Sequence, residues 1–327
     1  MILLEINPAV TVILWVAGFL ALSGILMWPL SYWVAAICTY DNTLRRTSPE
    51  KWKRGKSNLE GGYLKMYEIG EAWLEENSGR LEEVELVNRQ GMTLKGEYYD
   101  LGYDRAVIIL LGRTETIRCG YYFAIPYAKF GMNVLVVDPR ASGDSDGEFN
   151  TVGHEESGDV VEWAELLHAK YGVRSVILHG ICIGSAGGML AVTRESHPDY
   201  IDGIVTDGMF INFAESMKNH LIERKRPVKG LLELIDYRMK KFTGHSMMVG
   251  PIDYIDRLEI PLLMLQGTAD RYSTLERAEE LYKKAGTQNK RLVYIEGGEH
   301  SMLRFKDEAT YDNSIFEFLE GIYQDKL

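Results

Sequence analysis

The chain has 327 residues, 46% of them apolar and 25% charged, and a formal net charge of −11. That length accommodates one large domain with an appendage, and the acidic balance argues against general nucleic-acid binding, which rests on basic surface. Three widely spaced cysteines, Cys38, Cys119 and Cys182, form no CxxC pair, so neither a zinc site nor a disulfide framework is indicated.

The N-terminus is the first strong signal. From Ile6 through Tyr40 no residue is charged, and about 20 apolar residues suffice to cross a bilayer. Residues 1–40 are therefore expected to be a single transmembrane anchor, with Trp15, Trp28 and Trp33 available to the interfaces and Pro29 able to kink or end the helix. A cleaved signal peptide fits poorly, because Glu5 and no basic residue precedes the apolar run and the run is too long. Arg45, Arg46, Lys51, Lys53, Arg54 and Lys56 follow it. The positive-inside rule then places the C-terminal domain in the cytoplasm, tethered to the cell membrane, with this basic flank within reach of anionic lipid heads. Residues 41–80 are expected to form a basic linker and a connecting helix, Leu59–Asn77, packed on the domain through Tyr63, Met66, Ile69 and Trp73.

From Leu81 the periodicity changes. Leu81–Asn88 and Thr93–Tyr99 flank Arg89-Gln90-Gly91 as a hairpin, and Arg105–Leu111 is an apolar, buried strand. There follow a helix at Tyr121–Phe130, a strand at Asn133–Asp138 and a helix at Glu155–Tyr171. Next come a strand at Ser175–Leu178, a helix at Ser185–Glu195 and a strand at Gly203–Thr206. After an interruption the order resumes with a strand at Pro261–Gln266, a helix at Thr274–Ala285, a strand at Arg291–Ile295 and a helix at Asp307–Tyr323. Eight strands alternating with helices at this spacing predict a mostly parallel sheet covered on both faces, in one domain spanning residues 81–327.

The interruption, residues 209–256, falls where a lid over the C-terminal sheet edge would be inserted. Leu231, Ile235, Met239 and Phe242 make a helical apolar stripe there, and Lys218, Arg224, Lys225, Arg226, Lys229, Arg238, Lys240 and Lys241 make it basic. A small helical cap is expected, shaping an apolar acyl pocket and facing the bilayer.

Between strand and helix stands Gly180-Ile181-Cys182-Ile183-Gly184, a Gly-x-Cys-x-Gly turn with the pattern of a nucleophile elbow. Gly180 and Gly184 supply the space that a strained tip residue needs, and the Ile183 amide falls at a helix N-terminus, where it can stabilise an oxyanion. A thiol nucleophile needs a base and an orienting acid. Functional loops of open α/β sheets lie past the C-terminal strand ends, and two such loops carry Asp270 and His300. Asp207, ending the preceding core strand, is the alternative acid. No metal or cofactor is expected for this chemistry.

These residues resemble the α/β-hydrolase superfamily, in its serine-aminopeptidase-like and monoacylglycerol-lipase-like branch. The resemblance covers roughly Leu81 to Leu327 and includes Asp138-Pro139-Arg140-Ala141-Ser142-Gly143-Asp144-Ser145-Asp146-Gly147, the acid loop Gly267-Thr268-Ala269-Asp270 and the histidine loop Gly298-Glu299-His300-Ser301-Met302. It implies that the Arg113 amide, in Leu110-Leu111-Gly112-Arg113, is the second oxyanion donor, although Leu111 replaces the family's histidine. It also implies acyl-enzyme cleavage of an ester, thioester or amide in a small-molecule or lipid-like substrate. Cys182 stands where most members carry serine. A minority of the superfamily shares that thiol and includes both hydrolases and acyltransferases, so acyl transfer is an alternative outcome, and a fold retained for binding alone is another.

Other candidates are weaker. Ser185 reads as a first-turn helix residue satisfying backbone amides, His179 as a packed strand histidine and His154 as a surface or mouth residue. His168, His197, His220 and His245 lack context. Asp144 and Asp146 do not meet calcium spacing and read as turn residues.

Overall fold

The computed structural model describes residues 8–52, 56, 59–113, 115, 117–194 and 196–324. Ile6, Lys53 and Arg54 lie outside the described residues. Helix α1 (Pro8–Thr43) runs through Pro29 without ending and is long and apolar enough to cross a membrane. Its two ends differ. Trp15, Phe19 and Trp28 are exposed, whereas Ala36, Tyr40 and the following Leu44 are fully buried.

Helix α2 (Gly61–Asn77) lies on the domain through Met66, Tyr67, Gly70 and Leu74. Met66 is buried and Trp73 packs on Tyr99 and Tyr121 as expected, whereas Tyr63 and Ile69 are 41% and 43% exposed, so the packed face is rotated part-way from the expected stripe. Gly70 sets the rotation: a Cβ there would stand 3.0 Å from the Tyr122 amide, so only glycine lets the two helices close.

The sheet comprises β1 (Leu81–Val87), β2 (Thr93–Tyr99), β3 (Arg105–Leu110), β4 (Asn133–Val137), β5 (Ser175–Ile181), β6 (Ile201–Asp207), β7 (Leu262–Gly267) and β8 (Lys290–Ile295). Its eight strands are ordered β1-β2-β4-β3-β5-β6-β7-β8. β2 is antiparallel to β1 and β4, and every other pairing is parallel. The helices are α3 (Ile117–Phe130), α4 (Glu156–Tyr171), α5 (Ile183–Thr193), α6 (Phe213–Glu223), α7 (Leu231–Thr243), α8 (Leu275–Lys284), α9 (Leu303–Lys306) and α10 (Glu308–Tyr323). One apolar layer joins the sheet to α4, α5 and α8. The opposite layer joins it to α2, α3 and α10. Burial on both faces is why β3 to β7 read as continuous apolar runs.

Several boundaries differ from the sequence reading for identifiable reasons. β5 and β6 continue past Leu178 and Thr206, because His179, Gly180 and Ile181 go on pairing with Val205, Thr206 and Asp207. α3 begins at Ile117, whose amide donates to the Asp138 carboxylate at 3.0 Å. The closing helix α10 forms as expected, with Asp307 capping it by accepting from the Thr310 amide.

The 209–256 insertion contains α6 and α7. Leu231, Ile235 and Met239 are buried as the stripe requires, and Phe242 stacks on Tyr40 at 5.9 Å. A third apolar cluster gathers Phe213, Met217, Leu231 and Ile235 of this cap with Ala36, Tyr40 and Leu44, and reaches Ile183 and Cys182. The last turns of α1 are thus one wall of the cap. Arg238 of α7 donates to Asp41 at 3.3 Å across that contact.

Candidate active site

Cys182 caps α5 with φ 53° and ψ −111°, a strained left-handed conformation for a side chain with a Cβ. Its amide donates to Asp207 O at 2.9 Å, which fixes the tip against β6. The flanking glycines are steric requirements. A Cβ on Gly180 would meet the Ser185 amide, and one on Gly184 would meet the carbonyl of Leu110. The thiol is partly buried, between the sheet layer and the cap cluster.

His300 follows β8, and its Nδ1 lies 2.7 Å from Asp270 Oδ2. The other oxygen of Asp270 accepts from the amides of Tyr272 at 2.8 Å and Ser273 at 2.9 Å, so the acid is held on both sides. The Cys182 thiol is within hydrogen-bonding reach of the imidazole. Burial works against a charged His300, but the negative charge of Cys182 and the hydrogen bonds to Asp270 and Cys182 outweigh it and hold the imidazole well above its ordinary value. Gly208 leaves the floor beneath the pair clear, since a Cβ there would stand 3.2 Å from His300 Nδ1 and 3.3 Å from Asp270 Oδ2.

Asp207 takes a different position. It is fully buried at the end of β6 and accepts from Tyr311 Oη at 2.9 Å. Tyr311 also meets His179 Nε2 at 3.0 Å, and Tyr127 meets His179 Nδ1 at 2.8 Å. Burial raises Asp207 to about 7 and lowers His179 to about 3. This is a buried, hydrogen-bonded chain beneath the elbow, with His179 packed inside the sheet as expected.

The loop after β3 crosses the start of α5: the Gly184 contact with Leu110 puts Leu111 and Gly112 beside the elbow. Leu111 is buried in the sheet layer. Arg113 stands in this loop and its guanidinium donates to Thr43 O at the end of α1, at 3.2 Å. Below it Asp138 receives the amides of Ile117 and Asp144, and burial pushes its carboxyl up to about 6.

The weaker candidates are resolved by their contacts. Ser185 satisfies a backbone amide as expected, its hydroxyl accepting from Asp207 N–H at 3.2 Å. The same hydroxyl donates to Gly180 O at 2.6 Å and so ties the ends of β5 and β6 together. His154 is neither at the surface nor at a mouth: it is buried, with Nε2 on Ser246 O at 3.0 Å and its ring stacked on His245. His245 pairs with Glu155, His168 with Val173 O and His197 with Pro198 O. The Asp146 carboxylate accepts from the Thr93 amide of β2 and so ties its loop to the sheet. Among the described residues no group of acidic, histidine or cysteine side chains is arranged to hold a metal ion.

His220 was not singled out by the sequence. It lies on α6, its ring stacks on Tyr272 with centroids 3.8 Å apart, and Tyr272 meets His300 edge-on at 5.6 Å. Burial first, then Arg113, lowers it to about 4. It helps line a cavity of about 440 Å³ between α1 and the cap. No local motif marks such a residue, since only the docking of the insertion brings α6 to the histidine loop.

Comparison with known proteins agrees with this architecture. Residues 253–307, which include Asp270 and His300, match the serine aminopeptidase S33 family (Hydrolase_4). Over 238 residues the chain is 30% identical to the uncharacterized protein YqkD of Bacillus subtilis (strain 168), covering 71% of this chain and 77% of that protein. It is 28% identical over 183 residues to the Homo sapiens protein ABHD12B, covering 53% of this chain and 49% of that relative. Among solved structures, a Pyrococcus furiosus esterase, Pf2001, superposes with a TM-score of 0.62 at 22% identity, over 76% of this chain and 94% of that one. An esterase from Exiguobacterium antarcticum superposes with a TM-score of 0.56 at 13% identity, over 73% and 100% of the respective chains.

Proposed function

We infer, from the premise that this chain belongs to the α/β-hydrolase superfamily, that it is a membrane-anchored hydrolase using a Cys182–His300–Asp270 triad. The observation that carries this reading is the Asp270–His300 contact of 2.7 Å with a thiol on a strained elbow beside it. The thiolate is the nucleophile. It attacks the carbonyl carbon of an ester, thioester or amide, forming a C–S bond. The amides of Ile183 and Arg113 hold the oxyanion. His300 Nε2–H gives its proton to the departing group as the original bond breaks, leaving a thioester.

The same geometry explains how one imidazole serves both halves. Acylation removes the negative charge of Cys182, the leading influence that keeps His300 protonated. The imidazole, neutral once it has given its proton to the leaving group, therefore stays neutral until it takes a proton from the attacking water, and the C–S bond breaks to release the acid and restore the thiolate. Asp270 orients Nδ1 throughout.

In this reading α1 is a single-pass anchor in the cell membrane, and the basic residues that follow it place the domain in the cytoplasm. Those side chains also serve the fold. Arg45 donates to Glu148 at 2.7 Å, Arg46 to Gly143 O and Ser145 O, and Lys56 pairs with Glu68 and Glu71. Residues 1–40 are the anchor, 41–80 the linker with its helix, and 81–327 the catalytic domain with cap 209–256.

The test is turnover of an activated aryl ester by the full-length protein in detergent, beside Cys182→Ala and Cys182→Ser. A burst lost in Cys182→Ala supports acyl-enzyme catalysis, and acceleration by added alcohols or amines assigns acyl transfer instead of hydrolysis. No turnover and no labelling of Cys182 by a mild electrophile rejects the enzymatic reading. Protease digestion of an N-terminal tag on intact cells tests the orientation.

A further inference from the structure

The cavity between α1 and the cap has an unusual wall. One face of α1 lines it, with Tyr32, Ala35, Thr39 and Asn42 following one another at helical spacing. A face turned to hydrocarbon would be apolar, and this one is partly polar. The opposite wall is the end of α6 and the loop after it. Arg113, Arg224 and Arg226 line the cavity and, among the described residues, no carboxylate does, in a chain whose net charge is −11. Among the described residues Arg224 and Arg226 form no ion pair within 4.0 Å. Guanidinium groups are planar donors suited to phosphate and carboxylate oxygens.

The cavity approaches the triad at one end, through the loop of Arg113 and through His220, and the exposed stretch of α1 at the other. His220 lines it and touches His300 through Tyr272. At the outer end, a Cβ on Gly230 would stand 3.5 Å from the Tyr32 ring, so the loop carrying Arg224 and Arg226 reaches the turn of α1 just past the exposed Trp28 and Leu30. From Ser31 to Thr43, the stretch of α1 that lines the cavity, the helix rises about 18 Å at 1.5 Å per residue.

We propose that this cavity binds an anionic group, and that the substrate is an acyl ester whose alcohol part carries a phosphate or carboxylate. The inference rests on the hydrolase reading above. The carbonyl sits at Cys182 and the anion lies along the cavity against Arg224 and Arg226. A lipid headgroup and a soluble acyl phosphate ester share this chemistry, and the opening beside α1 admits either.

The test uses full-length protein in detergent micelles. It compares oleoyl glycerol phosphate with oleoyl glycerol, and, without a long chain, butyryl glycerol phosphate with butyryl glycerol. The expected kcat/KM ratio of anionic to neutral ester is about tenfold or more, the size of a charge-assisted hydrogen bond. The ratio falls toward one in Arg224→Gln/Arg226→Gln, recovers in part in Arg224→Lys/Arg226→Lys, and shrinks as salt rises. Preference in both pairs assigns the anion irrespective of source, and preference in the oleoyl pair alone assigns a lipid headgroup. A ratio near one in the wild type, or a loss that is equal for charged and neutral esters in the glutamine variant, overturns the proposal. Calorimetric binding of oleoyl glycerol phosphate to the Cys182→Ala protein reads the cavity without catalysis, so failure of the triad is told apart from failure of the anion site.

Discussion

His300 bonds Asp270 at 2.7 Å, while Asp207 at the end of the neighbouring strand bonds Tyr311 at 2.9 Å. Two acids stand near one imidazole and only one of them orients it. Asp270→Asn is therefore expected to lower kcat on an aryl ester by roughly 10²–10⁴, the range seen when an orienting acid is neutralised. Asp207→Asn is expected to change it only a few-fold. Comparable losses for both substitutions in folded protein would reassign the acid.

Asp207 instead governs the dependence of stability on pH. Burial raises its folded value to about 7, against about 3.9 in an unfolded chain. Between these values the folded protein holds a proton that the unfolded chain has lost, so stability falls as pH rises from about 4 to 7 and levels off above. The loss is on the order of 4 kcal/mol. Urea denaturation across that window reads it, and Asp207→Asn is expected to flatten the curve.

The imidazole acts in the same direction at higher pH. His300 is raised well above its usual value, against burial, by the charge of Cys182 and the contact with Asp270. Its contribution to stability is complete below the unfolded value of about 6.5 and is lost as pH rises through the folded value. In NMR titrations the His300 midpoint is expected to lie above 6.5 in the wild type and to drop in Cys182→Ala. An unchanged midpoint would show that sulfur and imidazole are not coupled.

The elbow tolerates no side chain beside it. A Cβ on Gly184 would run into the Leu110 carbonyl, whereas one on Gly188 would meet the Leu110 side chain at 3.1 Å. Gly184→Ala is expected to cost about 3 kcal/mol or more, or to prevent folding, and Gly188→Ala about 1 kcal/mol. Thermal melts of the two variants compare a backbone obstacle with one that can yield.

The anchor helix is expected to be divisible. Removing residues 1–30 takes away no buried residue among those described. Removing residues 1–44 strips the fully buried Ala36, Tyr40 and Leu44 from the cap, and loss of a single buried aromatic alone costs about 3–5 kcal/mol. The shorter truncation should melt near the wild type and the longer one markedly lower, with increased dye binding at the exposed cap.

Much of this protein was determined by local sequence. Alternating apolar runs and turn residues placed the eight strands, Gly180 and Gly184 marked the elbow, and the ends of β7 and β8 located Asp270 and His300, because these features depend on period and on the steric needs of single positions. The choice between Asp270 and Asp207 was made by the tertiary fold, since both end core strands and only packing directs one carboxylate to His300 and the other to Tyr311. The place of His220, and the use of the last turns of α1 as a cavity wall, were likewise decided in three dimensions. An insertion between strands has no periodic relation to the sheet, so where it docks follows from which apolar faces remain to be buried, and those faces exist only once the domain has formed.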